Sequence, residues 1–355
     1  MKTNKLIDTC KRIENKNFMS FFFGCRVNAA ESNQLSQIII NQAFKPLDTH
    51  SPQIPGLIII NTCSITQKGE NESLRKIRSV AKQFPQAKII ITGCANIDNI
   101  KPSKNIIFLS NPQKREILKN FTKAYTHKVG DRLSLSDKYL LNVQTGCNHF
   151  CAYCIVPYKR QDLWCLPIKQ AVDQTNQAFS LGFKQLIITG INLNLYTPGF
   201  TNLIKAILTQ INIPKISFGS IPLNCINQKF LKLLKKYPDR FINFLHIPLQ
   251  SCSDKTLKNM NRPYTQKQIL DMFSKLKKIK NLKLGTDIIV GFPGETDDDF
   301  QQSYNICKQI AFTKIHTFKY SPRPGTAAIK LKLDKIDNTT KKSRSQQIRS
   351  LINKK

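Results

Sequence analysis

Gly146-Cys147-Asn148-His149-Phe150-Cys151-Ala152-Tyr153-Cys154 places three cysteines in a C-x3-C-x2-C spacing, directly after the apolar run Tyr139 to Val143. Three thiolates on one short loop can hold three corners of a four-iron cluster, leaving the fourth iron open to a reactant. Zinc is the competing reading. It would want a fourth Cys or His close by, and the next cysteine, Cys165, is eleven residues away.

Downstream of this loop, strand runs recur at Gln185 to Thr189, Lys215 to Phe218, Asn243 to Ile247, Lys283 to Val290 and Lys314 to Phe318. With Tyr139 to Val143 they make six strands separated by helical segments, the pattern of a partial α/β barrel. Thr296, followed three residues later by Asp299, is a capping signal for a helix over Phe300 to Ile310. Residues 330 to 355 carry seven Lys and two Arg against two Asp and read as a basic helical tail. Upstream, Phe18 to Phe23, Leu57 to Ile60, Ile89 to Ile91 and Ile106 to Leu109 read as buried parallel strands. The stretches Ala29 to Gln42 and Glu70 to Phe84 are long enough for crossover helices between them. Tyr125 to Asp131 breaks the rhythm as a linker. The expected units are an amino-terminal domain over 1–127, a second domain over 128–330 and the tail over 331–355.

Cys25, Cys63 and Cys94 each sit just beyond a strand run, in Phe23-Gly24-Cys25, Ile60-Asn61-Thr62-Cys63 and Thr92-Gly93-Cys94. In a parallel sheet all strand ends that turn into a helix lie on one edge, so these distant thiols should converge there and form a second metal site. Three separately buried structural cysteines are the plainer alternative.

The chain of 355 residues is 41% apolar, enough for two ordinary domains, and has no run of roughly twenty apolar residues that a membrane span needs. Met1-Lys2-Thr3-Asn4-Lys5 has no apolar signal core behind it, which points to the cytoplasm, where eleven cysteines serve as ligands or catalytic groups rather than disulfides. Lys and Arg number 55 against 22 acidic residues, a net charge of +33 that attracts phosphate backbones. A codon bias toward Lys, Asn and Ile would also raise this charge, so charge alone settles little.

The C-x3-C-x2-C motif with an aromatic before its last Cys resembles the signature of the radical S-adenosylmethionine (AdoMet) enzymes. With Gly24-Cys25-Arg26-Val27-Asn28, Asn61-Thr62-Cys63-Ser64-Ile65-Thr66, Cys154-Ile155-Val156-Pro157-Tyr158, Gly291-Phe292-Pro293-Gly294-Glu295-Thr296 and Phe318 to Thr326, nearly the whole chain resembles the radical AdoMet methylthiotransferases. This resemblance implies a flavodoxin-like amino-terminal domain, then a radical AdoMet partial (β/α)6 barrel. It also implies two 4Fe-4S clusters, on Cys147, Cys151 and Cys154 and on Cys25, Cys63 and Cys94. AdoMet would chelate the open iron of the first and be cleaved by one electron to a 5′-deoxyadenosyl radical, with Tyr153 near its adenine. The second cluster would carry or supply the sulfur. Gln250 and Asp287, at or within barrel strands, are candidates to face AdoMet; ordinary polar residues at a barrel rim are the alternative.

Val27, Glu72-Ser73, Arg75 to Arg78, Thr189 to Leu193 and Met260 to Thr265 resemble the branch that modifies threonylcarbamoyladenosine at position 37, in the tRNA anticodon loop. The implied product is methylthio at C2 of that base, and the implied partners are tRNA and an electron donor protein, with the chain a monomer off the membrane. The alternatives are an isopentenyladenosine tRNA enzyme, a ribosomal-protein enzyme, or an inactive RNA-binding relative. Departures from the family pattern are Arg160 to Pro167, which lacks the usual Gly and Ser-Arg-Pro, Ile221 in place of Glu, and Cys252 in place of Gly. The carboxyl-terminal RNA-binding β-barrel of the family is expected to be absent.

Overall fold

A computed structural model describes residues 5–98, 100–101, 103–119, 121–126 and 137–352. After α1 (Lys5–Lys11) come β1 (Asn17–Phe22), α2 (Arg26–Ile40), β2 (Lys45–Pro46), β3 (Leu57–Thr62), α3 (Gln67–Gln83), β4 (Lys88–Gly93), β5 (Ile106–Phe108) and α4 (Asn111–Leu118). All the strand pairs are parallel, in the order β2-β1-β3-β4-β5, which is the flavodoxin order.

Both faces of this sheet are covered. Leu57 and Ile59 of β3 pack with Leu6, Phe18 and Leu35 on one side, while Ile58 and Ile60 pack with Met19, Ile77 and Ile89 on the other. A strand buried on both faces must be apolar at every position, which is why β3 reads Leu-Ile-Ile-Ile rather than alternating. Each of these aliphatic side chains contributes on the order of 1.5–3 kcal/mol relative to exposure.

The second unit begins with β6 (Lys138–Thr145), α5 (Val156–Lys159), β7 (Trp164–Cys165), α6 (Ile168–Ser180), β8 (Gln185–Gly190), α7 (Phe200–Gln210), β9 (Lys215–Phe218), α8 (Gln228–Lys236) and β10 (Phe244–His246). It continues through α9 (Asp254–Asn259), α10 (Gln266–Lys277), β11 (Lys283–Val290), α11 (Asp297–Ile310), β12 (Lys314–Lys319), α12 (Ala327–Lys330) and α13 (Asn338–Ser350). Parallel pairing joins β6 to β8 to β9, and β10 to β11 to β12. A parallel bridge between Ile216 and Phe241 and the bond from Ile221 N to His246 O (2.9 Å) connect the two halves into the six-stranded arc expected of a partial barrel. The Thr296/Asp299 capping box is formed and starts α11 at Asp297.

Several details depart from the expectations or refine them. Tyr125, read as the first linker residue, is buried and stacked on Tyr139 of β6 at 4.5 Å, so it belongs to the core of the second unit. The boundary between 127 and 128 lies outside the described residues. The altered segment after Arg160 adds β7 antiparallel to β6. Ile221 and Cys252 are fully buried, so these two departures are apolar core positions. The tail forms α13, whose Ile348 is buried in the main core and whose Arg344 is buried against Glu295 and Asp297, so this cation is a packing residue rather than a free charge. Lys354 and Lys355 lie outside the described residues. No helix among the described residues is long and apolar enough to cross a membrane.

Candidate iron–sulfur and AdoMet site

The C-x3-C-x2-C loop leaves β6 through Gly146, whose φ of +84° suits glycine, and where an added Cβ would lie 2.1 Å from Asp162 O. The loop is pinned from several directions. Cys147 N donates to Arg160 O (3.3 Å), Ala152 N donates to Met260 O (3.0 Å), and Ala328 N donates to Ala152 O (2.7 Å). Asn261 Nδ2 donates to His149 O and Phe150 O, both at 3.1 Å. Asn192 Nδ2 approaches Cys147 Sγ at 3.6 Å, and an Arg262 guanidinium nitrogen approaches Cys151 Sγ at 3.4 Å. Burial pushes the Cys154 thiol up to about 12. Arg262 is itself fixed by Tyr264 Oη (2.6 Å) and Pro248 O (3.1 Å), and lies 3.5 Å from Tyr153 Oη.

The three other expected site residues divide. Tyr153, within the cysteine loop, packs against the apolar cluster that contains Met260, Ile289, Phe292 and Tyr320. Gln250 stands at the carboxyl end of the arc with φ +71°, its N donating to Asp287 O and its O accepting from Ile289 N, both at 2.8 Å. Asp287 Oδ1 bonds His246 Nε2 (2.8 Å) and His316 Nδ1 (3.1 Å), so its carboxylate is held between two imidazoles on adjacent strands.

Cys25, Cys63 and Cys94 come together at the carboxyl edge of the first sheet, close enough that the charges of Cys25 and Cys94 would both act on Cys63. Gly24 makes room: with φ +84°, it lies where a Cβ would be 2.3 Å from Cys63 Sγ. Burial pushes the Cys63 thiol up to about 12. Cys63 N donates to Ser73 Oγ (3.1 Å), and Asn111 Nδ2 reaches Gly93 O (2.9 Å) and Cys94 Sγ (3.7 Å).

Beneath this trio lies a buried polar floor. Asn28 Nδ2 donates to Phe23 O (2.9 Å) and Thr62 O (2.8 Å), tying together the strand ends that precede Cys25 and Cys63. Glu31 pairs with Arg160 through both oxygens (2.5 and 2.9 Å) and with Lys114 Nζ (2.7 Å). Burial alone would raise the Glu31 carboxyl, but the two cations outweigh it and hold it at about 2. A cleft between the two units is lined by Glu31, Asn111, Arg115, Thr145, Arg160 and Trp164.

The donor sets suit iron–sulfur clusters better than single ions. Among the described residues, only His246, Asp287 and His316 bring three ligand atoms of Cys, His, Asp or Glu within 4.8 Å of one another. Each cysteine trio is spread more widely than the roughly 4 Å that tetrahedral thiolates about 2.3 Å from one zinc would adopt. All-thiolate sets, free of disulfide bonds, are the ligands such clusters take. Arg262, Asn192, Asn111 and the Glu31–Lys114–Arg160 cluster had no assigned role in the sequence, because only the fold brings them to the sulfurs.

Comparison with known proteins bears on the same two regions. Residues 141–307 match the radical SAM superfamily, and residues 17–106 match uncharacterized protein family UPF0004. The threonylcarbamoyladenosine tRNA methylthiotransferase MtaB of Bacillus subtilis (strain 168) is 30% identical over 358 residues, covering 92% of this chain and 78% of that protein. The tRNA-2-methylthio-N(6)-dimethylallyladenosine synthase of Thermodesulfovibrio yellowstonii is also 30% identical, covering 87% and 77%. In fold alone, the chain is similar to the radical AdoMet methyltransferase TsrM of Kitasatospora setae, with a TM-score of 0.65 at 11% identity, over 88% of this chain and 77% of that one. With the flavodoxin-order sheet, the six-stranded arc and similarity running through both, the chain belongs to the radical SAM methylthiotransferase family and is a transferase that uses AdoMet and a 4Fe-4S cluster.

Proposed function

We propose that this enzyme adds a methylthio group to C2 of N6-threonylcarbamoyladenosine at position 37 of tRNA. In this reading Cys147, Cys151 and Cys154 hold the AdoMet-binding 4Fe-4S cluster, and Cys25, Cys63 and Cys94 hold a second one. The observation that carries it is the pair of cysteine trios, one at the ends of three parallel strands of the first sheet and one on the loop that follows β6, with Arg160 bonded to Cys147 N through its main chain and to Asn28 through its side chain. When bound, the clusters and AdoMet supply the radical, the sulfur and the methyl group.

The chain's own residues bind and orient. Arg262 braces Cys151 and Tyr153, and Gly146 lets the cysteine loop fold against Asp162. Gln250 and Asp287 are the polar side chains proposed to face AdoMet from the carboxyl side of the arc. A net charge of +33 favours an RNA substrate, and reduction calls for a separate electron donor protein. The threonylcarbamoyl branch is supported by Val27 and the Met260 to Thr265 block and by the name of the Bacillus relative. The dimethylallyl branch is the second reading, because a relative of that name is equally similar.

Mass spectrometry of tRNA nucleosides from cells with and without the gene tests the branch: the methylthio form of threonylcarbamoyladenosine should disappear on deletion. Loss of methylthio-isopentenyladenosine instead would favour the second reading. In the purified enzyme, Ala at Cys147, Cys151 or Cys154 should abolish AdoMet cleavage. Ala at Cys25, Cys63 or Cys94 should leave cleavage measurable and remove product; full product formation there would make the second trio structural.

A further inference from the structure

Arg160 ends α5 in the second unit, yet it meets both cysteine centres. Its main-chain O accepts from Cys147 N at 3.3 Å. Its guanidinium crosses into the first unit and makes a two-pronged pair with Glu31 (2.5 and 2.9 Å), donates to Asn28 Oδ1 (2.7 Å), and reaches back to Thr145 Oγ1 (3.0 Å). Asn28 in turn holds the residues that precede Cys25 and Cys63. Lys114 closes the far side of Glu31 and donates to Asn61 Oδ1 at 3.2 Å. All three charged groups are at least 95% buried. Burial pulls the Lys114 ammonium down from its ordinary range, but the Glu31 carboxylate 2.7 Å away opposes this and keeps it a cation. Two cations against one anion then leave positive charge in a low-dielectric floor below the Cys25, Cys63 and Cys94 thiols, where charge acts far more strongly than at a surface. A planar fork is needed to span Glu31 and Asn28 together, which lysine cannot do.

We propose that Arg160 is a positioning residue that couples the two centres. Its main chain braces the Cys147 loop, and its fork locks the floor of the second trio and sets the charge there. The inference rests on the reading of that trio as a cluster site. Cluster reduction potentials follow local net charge and hydrogen bonding, so removing a buried cation should lower the potential of the second cluster and removing the buried anion should raise it. A purely structural role gives no reason for the two substitutions to act in opposite directions.

The test uses the full chain carrying Cys147→Ala, Cys151→Ala and Cys154→Ala, reconstituted with iron and sulfide so that only the second site can load. Iron per chain and the midpoint of a dithionite titration followed by electron paramagnetic resonance are read for Arg160→Gln, Lys114→Met and Glu31→Gln. Arg160→Gln and Lys114→Met should shift the midpoint downward and Glu31→Gln upward; any one variant that folds reports a sign. Shifts of a common sign, or none, would overturn the proposal. Failure of the triple-cysteine chain with Arg160 intact to bind iron would instead overturn the two-cluster reading, and this inference with it. In the chain with all its cysteines, Arg160→Lys keeps the charge but loses the fork. It should still cleave AdoMet while methylthio product per cleavage falls at least about tenfold. Unchanged coupling in that variant would remove Arg160 as the connecting element.

Discussion

Glu31 is a carboxylate with almost no contact with water that remains ionised because two cations enclose it. Its folded value, about 2, lies below an ordinary value near 4.5, so its contribution to stability is present above pH 4.5 and is lost as pH falls toward 2. The gap corresponds to roughly 3 kcal/mol. Between pH 4.5 and pH 2 the wild-type chain should therefore lose about that much more stability than Glu31→Gln, read as urea midpoints on matched cluster-free preparations. Equal losses would mean that Glu31 is not held ionised by its partners. At neutral pH the variant should already be weaker, because Arg160 and Lys114 are then buried without their anion. Gly24 and Gly93 show the opposite kind of constraint at the same edge. Their positive φ and the 2.3 Å spaces to Cys63 Sγ and Thr62 O leave no room for a side chain, so the Gly-Cys pairs of the sequence report strand ends packed around sulfur.

Helix α13 illustrates how an element acquires a role that its composition conceals. Arg344 donates to Glu295 Oε2 (2.6 Å), Glu295 O (3.1 Å) and Asp297 Oδ1 (2.7 Å), while Glu295 Oε2 also accepts from Gly291 N (2.6 Å). The helix thereby clasps the loop after β11 against the start of α11. Arg344→Ala leaves Glu295 buried without its cation, with the Gly291 N–H as its remaining partner, and should cost about 3–5 kcal/mol. Arg349→Ala, on the exposed face, should stay within about 0.5 kcal/mol. Similar urea midpoints for the two variants would show that the clasp carries no stability. The sequence disclosed the helix but not this face, since seven lysines hid the one arginine that turns inward. Strands were easier to read: β3 is a continuous apolar run because both its faces are covered, and β9 and β11 run over Lys215–Phe218 and Lys283–Val290 as expected, β9 alternating Ile216 and Phe218 with polar residues and β11 ending on Ile288-Ile289-Val290. The short β2 and β7 escaped notice; two residues carry no periodicity.

At the scale of the whole chain, arginines tie the two units together. Arg26 donates to Phe218 O (2.8 Å), Arg160 pairs with Glu31, and Arg323 pairs with Glu70 (2.9 Å). The partners are 192, 129 and 253 residues apart, and nothing in a linear reading pairs them. The cysteine positions could be read because each trio follows apolar strand runs that the sequence displays; the residues around them depend on how the units dock. The same docking narrows where the +33 charge can meet RNA. Of the tail cations Lys341, Lys342, Arg344 and Arg349, Arg344 is buried, and Lys341 packs along Gly291 with its ammonium 5.7 Å from the Tyr320 ring. Of these four, Lys342 and Arg349 are the exposed ones. Each phosphate contact contributes just under one unit to the slope of log affinity against log salt. Lys342→Gln with Arg349→Gln should therefore lower the slope for tRNA by no more than about two units, uniformly across tRNA sequences. Affinity measured across a salt series for the wild type and the double variant decides the matter. A larger fall would place the tail at the centre of the RNA surface, whereas an unchanged slope would move that surface to the cleft between the units, where Arg115 and Lys119 stand at the rim beside Glu31 and Arg160.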